Sequence, residues 1–263
     1  MDVVAADTEA TNTPPPLPVF TIADFNPEIR APWSFIGRIL ARSPVRTFKS
    51  WRASGRLFRV HVTDRDDATL RVTVFNEGAE RFFDVLSPGA VCSFSNGRIT
   101  TANSVFAPPS SPIELSFGGD ANIHRVTDGP DYPEPAFAYI RLADLPAATP
   151  TVSGIVVDVG PLRDITTRAG RKTLKREFLL VDDSNVDVVC TAWGQDADEL
   201  QDSLQGHPIL IQNGQISDYM NIRSVDIGVR STLLHHPATS RSADLQRWFA
   251  GLPAGHAFTS MHA

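Results

Sequence analysis

The sequence predicts an all-β protein built from two copies of one small barrel, closed by a terminal helix. Three observations predict it. Short runs alternate apolar and polar residues with period two, as half-buried strands do. Residues 46–82 are echoed by residues 163–200. Each copy also places one short helical pattern between its third and fourth strand runs.

The repeat governs every other assignment, because an internal duplication sets the whole fold. Thr73-Val74-Phe75 aligns with Thr191-Ala192-Trp193, and the acidic turn at Asp64 with the one at Asp182. Ala79-Glu80 aligns with Ala197-Asp198, and Phe82 with Leu200, each pair 118 positions apart. Asn96-Gly97-Arg98-Ile99 is echoed by Asn213-Gly214-Gln215-Ile216, one residue out of that register. Upstream, Ile22-Ala23-Asp24-Phe25 is echoed by Leu142-Ala143-Asp144-Leu145. Echoes in the same order along both halves describe a tandem duplication.

In chain order, residues 1–17 lack apolar periodicity and contain Pro14-Pro15-Pro16, which predicts an extended or disordered tail. After a short segment at 19–22, strands are expected at 34–40, 57–63 and 70–75, the last two joined by the turn at Asp64-Arg65-Asp66-Asp67. Residues 77–86 have helical spacing and stop at Pro88-Gly89. Residues 90–94 are strand four, 97–101 with 104–107 are strand five or a hairpin, and 113–117 closes the unit. In the second half the strands are 152–159, 178–182, 186–193, 209–213 and 223–229, with the helix at 196–204. Between the halves, 118–135 is rich in Gly, Pro and acids, so it reads as a linker. A flexible tether there makes the second barrel's contacts intramolecular, raising the pair's affinity above that of either half. Residues 242–250 form a terminal helix capped by Ser242 and ended by Gly251. The resulting domains are a tail (1–17), a first barrel (18–117), the linker, a second barrel (136–234), and a helix with tail (235–263).

Composition bounds the function. Cys92 and Cys190 both fall in strand runs and read as buried thiols, with neither a zinc pattern nor a disulfide framework. No apolar run approaches a membrane span, and the acidic N-terminus is unlike a signal peptide, so a soluble intracellular protein is expected. The net charge is −6, yet residues 33–62 carry seven Arg or Lys (Arg38, Arg42, Arg46, Lys49, Arg52, Arg56 and Arg59) and no acid. Residues 163–176 carry six cations and one acid. Cations at matching places in both repeats, on an otherwise acidic body, predict one positive track. Asp66-Asp67 and Asp182-Asp183 sit in hairpin turns, which favour Asp for backbone reasons, and His235-His236 has no partner pattern. Neither is read as a metal or catalytic site, and no cofactor is expected. The protein is read as a non-enzyme.

Five short strands with one helix between the third and fourth is the order of the OB fold, whose second and third strands bind oligonucleotides. Each basic stretch lies beside a strand that ends in an aromatic ring, at Phe75 and Trp193. Cations neutralise phosphates and a flat ring stacks on an unpaired base, which is what a single-stranded nucleic acid requires. Phe58, Phe82, Phe83, Phe94 and Phe178 fall on core patterns, and Trp248 packs the terminal helix.

Specific motifs carry a resemblance. They are Val45-Arg46-Thr47-Phe48, Gly55-Arg56-Leu57-Phe58 and Phe75-Asn76-Glu77 in the first half. The second half has Lys175-Arg176, Leu180-Val181-Asp182-Asp183, Thr191 to Ala197 and Ile216-Ser217-Asp218-Tyr219, then Arg247-Trp248-Phe249. Over residues 19–250 the chain resembles the replication protein A large subunit, across its two central single-stranded-DNA-binding domains. The resemblance implies stacking by Phe75 and Phe106 in the first domain, and by Trp193 and Tyr219 in the second. It implies basic contacts at Arg46, Arg52 and Arg71 with a polar contact at Glu114, and second-domain loop contacts at Arg171, Lys175 and their neighbours Arg168 and Lys172. Phe48, Lys49, Asn76, Arg98, Asn103, Thr191 and Arg223 complete the candidate set. Thr100 stands where the family carries a lysine, and Gln215 replaces a basic residue, so each removes a phosphate contact. The family continues into a further, trimer-forming domain not found in this sequence, which is therefore a fragment or a shortened relative. The implied partners are single-stranded DNA and, for a full-length relative, the other subunits; no membrane is involved. The implied location is the nucleus. Two other readings stay open: a telomere-end or sequence-selective binder, and an OB-type protein-interaction module.

Overall fold

The computed structural model describes residues 17–49, 54–101, 113–126, 132, 134–145, 150–167, 170, 172–219, 222–228 and 231–261. Arg52, Asn103, Phe106, Arg168 and Arg171 lie outside the described residues, as do Trp51 and the run at 104–107. Lys49 and Tyr219 are described through their backbones alone.

The first barrel comprises β1 (Val19–Phe20), β2 (Ser34–Arg42), β3 (Arg46–Lys49), β4 (Ser54–Thr63), β5 (Thr69–Phe75), α1 (Glu77–Phe82), β6 (Val91–Ser95), β7 (Arg98–Thr101), β8 (Ile113–Phe117) and β9 (Asn122–Arg125). The second comprises β10 (Val152–Val159), β11 (Arg163–Thr166), β12 (Lys172–Val181), β13 (Val186–Trp193), α2 (Gln195–Glu199), β14 (Pro208–Gln212), β15 (Gln215–Tyr219), β16 (Ile222–Ile227) and β17 (Thr232–His235). The chain then forms α3 (Ser240–Ala250) and β18 (Thr259–Ser260).

Both barrels have the same strand path, β7-β8-β5-β4-β2-β6-β9 and β15-β16-β13-β12-β10-β14-β17. The ends of each path are not free edges. β7 continues β6 round a corner, and β9 continues β8, so one bent antiparallel pair closes the sheet on itself. The corners are the two Asn-Gly echoes. Asn96 and Asn213 take φ of 59° and 53°, and a Cβ on Gly97 would fall 2.3 Å from the Phe117 ring. These are two tandem OB-fold barrels, as the strand order predicts. Each encloses its own core: Phe35, Phe58, Phe82, Phe94 and Phe117 in the first, Val156, Phe178, Leu180, Ile209 and Val225 in the second. Trp33 is buried in the first core, edge-on to Phe25 and Phe117. Cys92 and Cys190 are buried thiols, and burial pushes Cys92 up to about 11.

Several expectations are adjusted. The strand at 98–101 pairs with β8, and the run at 104–107 read beside it lies outside the described residues. β9 lies inside the stretch read as linker, because the closing strand needs a second half with one buried residue, Ile123. The helices are shorter: α2 ends at Glu199 and a 3-10 turn at Asp202–Leu204 follows. The terminal helix begins at Ser240, and its cap is Thr239, whose hydroxyl accepts from the Ser242 amide at 3.2 Å.

The acidic turns are structural. Asp64 and Asp182 are 1% and 0% exposed. Asp64 accepts from the Ile22 amide at 2.6 Å and from the Asp66 and Ala68 amides at 3.0 and 3.1 Å. Asp182 accepts from the Leu142 amide at 2.8 Å and the Ser184 amide at 3.0 Å. One carboxylate thus ties the hairpin turn to the 3-10 turn at Ile22–Asp24 or Leu142–Asp144, which explains the upstream echo. Asp183 takes a bidentate ion pair from Arg241 of α3, both contacts at 2.6 Å.

The barrels also touch, which alters the tether expectation. Leu40 and Ala41, outward on β2, pack against Leu210 and Leu234, outward on β14 and β17, with Phe137 and Tyr139 alongside. Leu210 and Leu234 are 0% and 1% exposed. The corresponding outward residues of the first barrel, Ser93 and His124, are polar. A leucine pair on an outer face is stable only when covered, so the two units form a docked pair rather than beads on a free linker.

Urea unfolding of Asp182→Ala should show a loss of about 2–4 kcal/mol, since a buried charged acceptor and its amide donors lose each other. Asp66→Ala, on the exposed side of the same kind of turn, should change stability by less than about 0.5 kcal/mol.

Candidate nucleic-acid interface

Alternation along the longest strand pair of each barrel sorts core from surface. On β4 and β5, Phe58, Val60, Val72 and Val74 point inward, leaving Leu57, Arg59, His61, Arg71, Thr73 and Phe75 outward. The ladder pairs Leu57 with Phe75, Arg59 with Thr73 and His61 with Arg71. β3 adds Arg46 opposite Leu57, and Phe48 beside it. Phe48 and Phe75 meet edge to face at 5.9 Å and 83°, outside the core cluster. β8 contributes Glu114, which accepts from Arg71 at 3.1 Å and from the Thr73 hydroxyl.

The second barrel repeats the plan. Inward Phe178, Leu180, Cys190 and Ala192 leave Lys175, Glu177, Thr191 and Trp193 outward. Lys175 pairs with Trp193 across the ladder and lies 5.5 Å from its ring centroid, a cation–π contact, while also pairing Glu177 at 2.6 Å. Exposed Lys172 begins β12, opposite Thr166 of β11. The β3–β4 and β11–β12 pairs are therefore equivalent basic fingers standing at the ring end of each sheet face.

Both rings are set by the same backbone device. Asn76 and Gly194, directly after Phe75 and Trp193, take φ/ψ of 52°/−121° and 59°/−123°. Their amides donate to Arg56 and Leu174 carbonyls, both at 2.8 Å. This conformation suits glycine, so the first barrel holds an asparagine in strain there. The Asn76 side chain offsets part of that cost by accepting from the Arg56 amide at 3.3 Å. Asn76 is thus a positioning residue for the ring.

The single positive track resolves into separate jobs. Arg38 donates to the Gly89 and Tyr132 carbonyls, and Arg42 to that of Phe83, with its guanidinium 3.6 Å above the Phe83 ring centroid. Arg56 pairs Glu80 at 2.9 Å. Arg46 and Arg59 stay on the sheet face. Arg98 is exposed on β7 and lines a different groove with Arg30, Trp33 and Asn122. Arg223 shares the alternation of inward Val225 and Ile227, donates to the Leu145 carbonyl at 2.7 Å and pairs Asp218 at 3.5 Å, so it does not join the Trp193 face. Its long side chain reaches an orphan carbonyl at the barrel end, which strand position alone does not reveal. Thr100 donates to the Glu114 carbonyl at 3.1 Å, and exposed Gln215 opens β15.

Sequence reasoning missed Asp226. It aligns with Thr191 on β16, and Trp193 and Thr191 both hydrogen-bond its carboxylate, whose pKa burial raises. The equivalent residue in the first barrel is Ser116, so the repeat carried no signal for it. His61 was also missed. Burial, then the nearby Arg71 and Arg59 charges, push it down to about 3, so it is neutral at pH 7.

At the seam between the barrels, Asp196 of α2 faces Glu199, Arg46, Arg59, Arg71, His61 and His235. Burial first, then Glu199, raises Asp196 to about 7. A raised carboxylate binds its proton more tightly when folded. Its stabilising contribution is therefore complete below about pH 4 and lost as pH rises through about 7. Asp196→Asn should raise the melting temperature more at pH 8 than at pH 5, and change it little at pH 4, read by circular dichroism.

Residues 147–236 match the family model described as the replication protein A OB domain. The chain is 29% identical over 237 residues to the replication protein A 70 kDa DNA-binding subunit of Mus musculus, covering 88% of this chain and 37% of that protein. It is 27% identical over 246 residues to replication factor A protein 1 of Saccharomyces cerevisiae, covering 92% and 39%. A solved replication protein A heterotrimer bound to ssDNA superposes with a TM-score of 0.64 at 26% identity, covering 92% of this chain and 57% of that one. The chain spans just under two-fifths of the length of these curated relatives.

Proposed function

We infer that this chain is the tandem DNA-binding portion of a replication protein A large subunit, and that it binds single-stranded DNA without chemistry. One observation carries the reading: an outward, partly exposed ring ends the same strand of both repeats, each beside a basic finger. A peptide-binding face does not need that match. Phe75, flanked by Phe48, and Trp193, held by Asp226 and Lys175, stack on bases, while Arg46, Arg71, Lys172 and Lys175 meet phosphates. Stacking contributes roughly 1–3 kcal/mol per base whatever the base, so binding is sequence-tolerant. Docking fixes the two faces relative to one another, which lowers the ordering cost on binding compared with a free tether. Protection of single strands during replication, repair and recombination, in the nucleus and beside other subunits, belongs to the same proposal.

Titration of oligo-dT against wild type, Phe75→Ala, Trp193→Ala and the double variant tests it. Each single change should weaken binding by roughly 1–3 kcal/mol, and oligo-dT and mixed-sequence strands should bind alike. No loss in either variant removes stacking from the account. A strong preference for one sequence would favour a sequence-selective binder instead. In the same titrations the log–log salt slope should be about −0.7 for each phosphate neutralised.

A further inference from the structure

The apolar contact between Leu40, Leu210 and Leu234 joins the barrels, and a second, polar contact crosses the same seam. Glu199, the last residue of α2, reaches from the second barrel onto the binding face of the first. Its Oε1 accepts from Arg46 Nη1 at 3.0 Å and from Arg59 Nη1 at 3.0 Å. Glu199 Oε1, which also accepts from Gln195 at 2.6 Å, is thus shared by two guanidinium groups, with the Asp196 carboxyl of the same helix nearby. The Nε atoms of Arg46 and Arg59 are buried and have no hydrogen-bond partner among the described residues. The site thus carries more cationic donor capacity than its occupant satisfies.

The two arginines belong to the ring's own neighbourhood. Arg46 is opposite Leu57, which is opposite Phe75, and Arg59 is opposite Thr73. That puts Arg46 two strand spacings from Phe75, roughly 10 Å, within the span of one stacked nucleotide and its flanking phosphates. The acid is also particular to the second barrel. The position 118 earlier, in α1, is Arg81, which donates to the Gly119 carbonyl at 3.1 Å. A carboxylate at this place is thus no general feature of the helix.

We propose that Arg46 and Arg59 form a phosphate site on the first barrel, that Glu199 occupies it in the absence of nucleic acid, and that a phosphate of the bound strand displaces the carboxylate. Arg59 thereby joins the binding surface, although no motif in the sequence singles it out. The inference rests on the single-stranded-DNA reading above. Glu199 acts as a competitor in cis: it keeps the guanidinium pair compensated and oriented, and it lowers affinity by the strength of the contact that the strand must break. The apolar seam stays closed throughout, so exchange at this site needs only side-chain movement of Glu199.

The experiment titrates oligo-dT against the full chain as wild type, Glu199→Gln, Arg59→Gln and the double variant, with Phe75→Ala as a reference and Glu199→Ala as a second way to remove the charge. Glu199→Gln and Glu199→Ala should each bind about two- to fivefold more tightly than wild type, the size of one modest ion pair. Arg59→Gln should bind more weakly. In the Arg59→Gln background the gain from Glu199→Gln should shrink markedly. Equal affinity of wild type and both Glu199 variants, with Phe75 dependence intact, overturns the competitor and leaves the stacking account standing. Weaker binding by the Glu199 variants makes the residue a docking strut and overturns the proposal too. If wild type does not bind oligo-dT, both this inference and the reading beneath it fall.

Discussion

Strict alternation along β4 with β5, and along β12 with β13, is the constraint on which the rest of the molecule depends. Period two sends Phe58, Val60, Val72 and Val74 into the first core and leaves Arg59, Arg71, Thr73 and Phe75 on the outside. A slip of one residue would place a guanidinium in the core and a valine on the face, so burial of the core enforces the register of the site. The buried aspartates at the turns lock that register from the far end. They satisfy backbone amides of the hairpin and of the preceding 3-10 turn at once. Core and interface are therefore two sides of one sheet, and stability of the first positions the second.

The duplication is most informative where its copies differ. Gly194 relieves the turn that Asn76 holds under strain, with the same amide-to-carbonyl bond in both. Ser93 and His124 face outward on the first barrel, where Leu210 and Leu234 stand on the second. The outer face of β2 is covered by the second barrel, whereas the corresponding side of β10, at Ile155, is covered by Leu245 of α3. The copies are thus stacked in series, each supplying or receiving a different cover. A symmetric pair of beads would need no leucines at those positions.

Charge is allotted just as unevenly. Arginine's long stem and fixed fork of donors let it reach backbone carbonyls that would otherwise stay orphaned. Arg38, Arg42, Arg176 and Arg223 all do so. What remains for an anion is a smaller set, concentrated beside the rings and partly compensated by Glu114, Glu177 and Glu199. A protein of net charge −6 can in this way present a cationic face whose strength is set by which acids sit across from it.

Read alone, the chain gives away the two barrels, the order of most of their strands, the Asn-Gly echoes, the acidic turns and the two rings at Phe75 and Trp193. These follow from local chemistry: side-chain period, turn preference and a register repeated 118 positions apart. Asp226 and His61 were hidden because a single strand position says nothing about which neighbour lies across the sheet. The seam of Leu40 with Leu210 and Leu234, and the reach of Glu199 to Arg46 and Arg59, were decided only by the tertiary structure. Those contacts join residues 140 or more positions apart in sequence, and alternation tells which side of a sheet a residue faces but not what is packed against it.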